Sequence, residues 1–170
     1  MGQTFRLFAP AVKWIHPVPQ VIPPERGEGG DTHKCLVALP DVSVDFAGVK
    51  TIAIIGASGD RQKFGNKAVR AFRQQGYTVY PVNPKEAEIE GLPAFKSIRD
   101  VPVRPQMISV YLPPSVLLKV LPDIAEHGCD EFWLNPGTES DEVLAEAERL
   151  GLNVIQACSI VGVGVSPGDF

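Results

Sequence analysis

No apolar run in this 170-residue chain approaches the ~20 residues that a membrane-crossing helix needs, so no membrane partner is expected. Basic excess is also missing. The net charge is -4, and a nucleic-acid partner would call for a positive face, so none is expected. Cysteine is scarce: Cys35, Cys129 and Cys158 are far apart, with no C-x-x-C pair. That excludes a disulfide framework or a zinc knuckle; no metal site is expected, and a reducing, cytoplasmic setting follows. Acids are absent from the first 24 residues, but arginine and serine are few there too, and prolines interrupt any helix. No organellar leader is expected. Gly2 is followed by Arg6 where a myristoylation signal has Ser or Thr.

What is present divides in two. Residues 1–47 carry prolines at 10, 17, 19, 23, 24 and 40 and the polar stretch "PPERGEGGD". They read as a flexible Pro/Gly-rich extension, with "HKCLVALP" as a candidate edge strand. Residues 48–170 read as one folded domain, and the 44% hydrophobic content of the chain suffices for its core. Strand-like runs are "VKTIAIIG", "YTVYPVNP", "PQMISVYLPP", "DEFWLNPG" and "LNVIQA". Between them lie helical patterns. "NKAVRAFRQQG" stops at Gly76. "SVLLKVLPDIAEHG" has Ser115 as its expected N-cap and Pro122 as an expected kink or break. "TESDEVLAEAERLG" has Thr138 as its expected cap, acids in its first turn and a stop at Gly151.

Alternating strands and helices predict an α/β, Rossmann-like three-layer fold. Its sheet is expected to be five-stranded and mainly parallel, in order 3-2-1-4-5. In such sheets ligands sit beyond the carboxyl ends of the strands, near the switch point, expected here between strands 1 and 4. The chain carries Gly56-Ala57-Ser58, Asn83-Pro84-Lys85, Leu112-Pro113-Pro114, Asn135-Pro136-Gly137 and Cys158 at those ends.

Which ligand suits them? An NAD site wants G-x-G-x-x-G and an acid closing strand 2. The glycines here are Gly56, Gly59 and Gly65, and strand 2 closes on Val82-Asn83-Pro84-Lys85. A lysine there suits a ribose phosphate, which keeps NADP open despite the spacing. The triphosphate loop G-x-x-x-x-G-K-[ST] is missing its terminal pair. Coenzyme A has both a diphosphate and a ribose 3′-phosphate. The diphosphate would lie at the start of the first helix, where backbone N–H groups are free. Ser58, Asn66 and the cations Arg61, Lys63 and Lys67 are close to it in sequence.

The combination of Gly56-Ala57-Ser58, Phe64-Gly65-Asn66, Gly76-Tyr77, Val82-Asn83-Pro84, Ile89-x-Gly91 and Ser97-Ile98-x-Asp100-Val101-Pro102 resembles the CoA-binding domain family. These are small relatives of the CoA-binding domain in the succinyl-CoA synthetase alpha subunit and ADP-forming acetyl-CoA synthetases. "FWLNPGTES" and "GLNVIQACSIVGVG" extend the resemblance over 49–170. It implies coenzyme A as the bound cofactor. The diphosphate would lie on the first loop, from Gly56, Ala57 and Ser58 through Arg61 and Phe64 to Gly65 and Asn66. Val82, Asn83, Pro84 and Lys85 would line the adenosine end. Leu112, Pro113 and Pro114 would wall the crevice, with Asn135 and Gly137 towards the pantetheine.

The family's synthetases use a phosphorylated histidine on a second domain, which this sequence does not contain. His16 and His33 fall in the extension, and His127 sits at a helix end that favours a cation. No catalytic residue is assigned. The expectation is a module that binds CoA or an acyl-CoA without chemistry of its own, with an acyl-CoA enzyme as a candidate partner. The alternative is an NADP- or nucleotide-dependent enzyme using the same crevice. Cys158 reads as a buried structural thiol, or else as a partner of the CoA thiol. Trp133 reads as core.

Overall fold

The computed structural model describes residues 50–170. All of them belong to one compact unit. The extension and its candidate strand lie outside the described residues.

The first strand, β1 (Thr51–Ile55), is buried along its whole length, as its unbroken apolar run requires. Helix α1 (Phe64–Gln74) follows, and buries Ala68, Val69, Ala71 and Phe72 on one face. The chain turns out of it at Gly76, whose φ of 79° suits glycine. Strand β2 (Thr78–Val82) leads to a small antiparallel hairpin of β3 (Glu88–Ile89) and β4 (Leu92–Pro93). Glu90 and Gly91 form its two-residue turn, both at positive φ (51° and 76°), the twist such hairpins need. Then come β5 (Met107–Val110), α2 (Pro114–His127), β6 (Glu131–Leu134), α3 (Asp141–Arg149), β7 (Val154–Gln156) and a short α4 (Ser159–Gly162).

The main sheet has five strands in the order β2-β1-β5-β6-β7, and every pairing is parallel. Beyond β2, Phe95 forms a parallel bridge to Val82. Counting Phe95 as the third strand yields the expected 3-2-1-4-5 winding, with β7 as one strand more. The segment expected to be that third strand does not hold the place. It is β5, on the other side of β1, and so the switch point falls between β1 and β5. A long apolar run belongs at the centre of a sheet; an edge strand needs much less. Helices cover both faces. Ala53, Ile55, Ile108, Phe132, α2 and α3 form one core, and Ile52, Ile54, Phe72, Ile160 and α1 the other.

Two helix starts differ from expectation. Pro113 is the N-cap of α2 and Pro114 opens the helix, so Ser115 lies inside it. Proline suits that place because the first N–H of a helix has no partner within it. Pro122 is accommodated within one continuous helix. For α3 the cap is Ser140, whose hydroxyl accepts from Val143 N–H at 3.3 Å. Thr138 instead donates to the Asn135 carbonyl at 2.7 Å, closing the turn before the helix. Trp133 is half-buried; Gly162 leaves room for its ring, since a Cβ there would stand 2.6 Å from it.

Candidate functional site: a double cleft at the carboxyl edge of the sheet

Both clefts open where β1 and β5 end, the point at which the winding of the sheet reverses. The first has a volume of about 490 Å³. One wall is the start of α1, at Lys63, Phe64 and Gly65; the other is Leu112, Pro113 and the turn Asn135–Thr138, with Tyr111 and Cys158 below. The second holds about 290 Å³ between Val82, Pro84, Lys96 and Ser97 on one side and Leu112 and Val116 on the other. Gly56 and Leu112 line both, so the clefts meet there.

Gly56 is positioned by its N–H, which donates to the Val82 carbonyl at 3.0 Å, and by a φ of 83°. A Cβ there would stand 2.7 Å from the Tyr111 carbonyl. At Gly65 a Cβ would collide with the Gly56 carbonyl. Two glycines thus allow the start of α1 to press against the end of β1. No acid occupies the first turn of α1 and no side chain caps it. The N–H groups of Phe64 and Gly65 have no partner among the described residues. This is a backbone seat for an anion on the cleft wall.

Several side chains of the first loop are engaged, and so is Gly59 N–H. Gly59 N–H donates to Glu86 at 2.7 Å, and the Ser58 hydroxyl lies 3.4 Å from the same carboxylate. Buried Asn66 donates to the Ser58 carbonyl at 2.7 Å and to Glu90 at 3.0 Å, and accepts from Arg70 at 2.9 Å. Arg61 pairs with Glu90 at 3.3 Å and extends into solvent. Ala57 is in the core. Asn83 braces the loop from the tip of β2, donating to the Ala57 carbonyl at 2.8 Å and to Glu86 at 3.0 Å.

The cleft floor is a closed polar network. Asn135 donates to the Ser109 hydroxyl and the Val110 carbonyl, both at 2.9 Å, and accepts from Ser159 N–H at 2.9 Å. Ser159 lies 2.7 Å from the Ser109 hydroxyl and 3.0 Å from that of Tyr111. Burial pushes the Tyr111 phenol up to about 12, only partly offset by hydrogen bonds to Ser159 and Ser109. It is a neutral phenol near pH 7. The turn above holds its own anion: Glu139 accepts from Gly137 N–H at 2.7 Å and Thr138 N–H at 2.9 Å. Its own backbone N–H first, and then those of Gly137 and Thr138, hold its carboxyl below the usual range against the pull of burial.

Of the residues expected at the site, Gly56, Phe64, Gly65, Leu112, Pro113, Asn135 and Gly137 line the first cleft. Gly56, Val82, Pro84 and Leu112 line the second. Ala57, Ser58, Arg61, Asn66, Asn83, Lys85 and Pro114 line neither. The first five shape or brace the loop, Pro114 opens α2, and Lys85 is exposed at the tip of β2. Pro136 lines the first cleft, as its place at a strand end led one to expect. Sequence reasoning missed Tyr111, Thr138, Lys96 and Ser97 as lining residues. Tyr111 follows a strand end, a signal that was available. Lys96 and Ser97 had none, because they reach the edge only through the Phe95 bridge. Cys158 lines the first cleft and is half-buried rather than fully buried. Among the described residues, no group of three or more His, Cys, Asp or Glu could hold a metal.

This arrangement of strand, glycine loop and helix start has counterparts. The model of the CoA binding domain family matches residues 50–163. The chain belongs to the CoA binding domain family. Over 84 residues, 49% of the chain, it is 33% identical to the alpha subunit of ADP-forming acetate–CoA ligase II from Pyrococcus furiosus. That match takes in 18% of the ligase, so the chain corresponds to a small part of it. It is 26% identical to the uncharacterized protein YneT of Bacillus subtilis, over 62% of the chain and 78% of YneT. Among solved structures, a conserved hypothetical protein from Pyrococcus furiosus superposes with a TM-score of 0.62 at 34% identity. It covers 66% of this chain and 98% of its own. The resemblance stated from the sequence is thus confirmed, as are the α/β class and the parallel sheet. The described residues include no helix long and apolar enough to cross a membrane.

Proposed function

We propose that this chain binds coenzyme A, free or acylated, along the double cleft and performs no chemistry on it. The observation that carries the reading is the pair of clefts meeting at Gly56 and Leu112, with a backbone anion seat beside the junction. A compact nucleotide fills one cleft. A nucleotide with a long, neutral arm and a diphosphate between the two fills both. The adenosine end then lies in the second cleft, the diphosphate at Phe64 and Gly65, and the pantetheine arm in the first cleft, walled by Leu112, Pro113 and Pro136. Names of relatives such as acetate–CoA ligase point to the same ligand. Two lysines serve the 3′-phosphate end, Lys85 at the tip of β2 and Lys96 in the cleft wall.

The absence of chemistry is supported by what surrounds the first cleft. The Asn135 amide is saturated, and Tyr111 keeps its proton. His127 lies at the far end of α2, 2.9 Å from the Val103 carbonyl. The carrier or partner role of an acyl-CoA enzyme's companion, in a cytoplasmic setting, follows from such a module.

Native mass spectrometry of the purified full chain tests the ligand. A retained mass of CoA or an acyl-CoA is expected; NADP or a nucleoside triphosphate in its place overturns the reading. Lys85→Glu and Lys96→Glu, titrated with CoA and with dephospho-CoA, locate the 3′-phosphate. The lysine that reads it should lose affinity for CoA and little for dephospho-CoA.

A further inference from the structure

Gly59 has no positive φ to explain it. An acid fills the space that its side chain would take. The Glu86 carboxylate approaches so closely that a Cβ on residue 59 would stand 2.5 Å from its Oε2. In that position it accepts from Gly59 N–H at 2.7 Å, from Asn83 at 3.0 Å and, more weakly, from the Ser58 hydroxyl at 3.4 Å. The Ser58 hydroxyl in turn accepts from Asp60 N–H at 3.2 Å. Thus the loop between β1 and α1 is folded around a carboxylate that arrives from the connection after β2.

From this geometry we infer that Glu86 is a positioning residue. It serves as the loop's built-in anion, holds residues 58–60 in place and thereby sets the anion seat at Phe64 and Gly65. The inference rests on the CoA reading for its ligand, though not for its structural half. A loop read from sequence as cradling phosphate with all its glycines instead spends Gly59 on an internal acid. That donor, the Gly59 N–H, is withdrawn from a ligand, while those at the helix start stay open. Glu86 does this at an electrostatic cost, because its negative charge lies on the same loop as an anionic ligand. Gly59 N–H bonds one carboxylate oxygen and Asn83 the other, so glutamine keeps one of the two acceptors and loses the charge.

The test compares Glu86→Ala, Glu86→Gln, Gly59→Ala and the Gly59→Ala/Glu86→Ala double variant in the full chain. Calorimetric titration with CoA, and separately with inorganic pyrophosphate, is paired with amide exchange at Gly59. Glu86→Ala is expected to bind both probes about tenfold more weakly, the scale of a lost charged hydrogen bond, and to exchange faster at Gly59. Glu86→Gln, with one of the two acceptors kept, should bind between Glu86→Ala and wild type, with a smaller salt dependence. Gly59→Ala should resemble Glu86→Ala, and the double variant should be no worse than either, because both remove the same contact. The inference is overturned if Glu86→Ala binds as well as or better than wild type. It is equally overturned if the two changes simply add. Should wild type bind pyrophosphate but not CoA, the CoA reading falls and the brace is still decided. Should it bind neither, both fall as statements about a ligand, and unchanged exchange at Gly59 would remove the structural half as well.

Discussion

Gly65 shows most directly how one residue supports the site. Its missing side chain is what allows α1 to start against the Gly56 carbonyl. Gly65→Ala must push the helix start away, so a loss of about 1–3 kcal/mol is expected on thermal or denaturant unfolding. CoA affinity should fall with it, because the free N–H groups move with the helix. Tyr111 supplies a pH-dependent measurement. Its phenol titrates near 10 in the unfolded chain and at about 12 in the folded one. The stability it contributes is therefore complete below pH 10 and is lost as pH rises through about 12. Denaturant midpoints should drop across that window, and Tyr111→Phe should remove part of the drop. Phe64, Gly65 and Gly56 were legible in the sequence because strand–glycine–helix order alone puts them at one edge. The roles of Ser58, Asn66 and Asn83 were not. Each is a small polar residue beside a phosphate-type loop, and only the Glu86 and Glu90 contacts show that their side chains are spent within the protein.

Among the elements, α2 and α3 were readable as helices, and their starts were not. Apolar spacing sets a helix's body, whereas its first turn depends on which of several capable residues closes it. In α3 both Thr138 and Ser140 can cap; the turn at Asn135 takes Thr138, leaving Ser140. Ser140→Ala should therefore cost about 1 kcal/mol of stability. In α2 Pro122 removes one backbone donor from the helix interior. Because the helix runs on regardless, Pro122→Ala should stabilise the chain by about 1–3 kcal/mol, visible as a higher unfolding midpoint. The hairpin at Glu90 and Gly91 has a similar lesson. "I-x-G" marked it as a recurring motif, while its twist and the hold of Glu90 on Asn66 needed the folded chain.

For the whole molecule, the described residues contain both clefts and the bonds named above that shape them. Removing residues 1–43 should leave CoA binding within about twofold of the full chain and preserve ligand-induced thermal stabilisation. Binding measured with and without the extension checks this; a large loss would place residues 1–43 at the site. The α/β class, the parallel strands and the family were determined by the sequence itself. Apolar runs, glycine stops and "GAS…FGN…PVNP" are local signals that survive without knowledge of distant contacts. Only the tertiary structure decided that the strand at 107–110 lies beside β1 and that Phe95 takes the outer place. It alone shows that a carboxylate closes the backbone donor at Gly59. These depend on which burial and which pairing wins between residues far apart in the chain. Glu86 and Gly59, 27 positions apart, meet only because β1 and β2 pair in register and bring their carboxyl ends together.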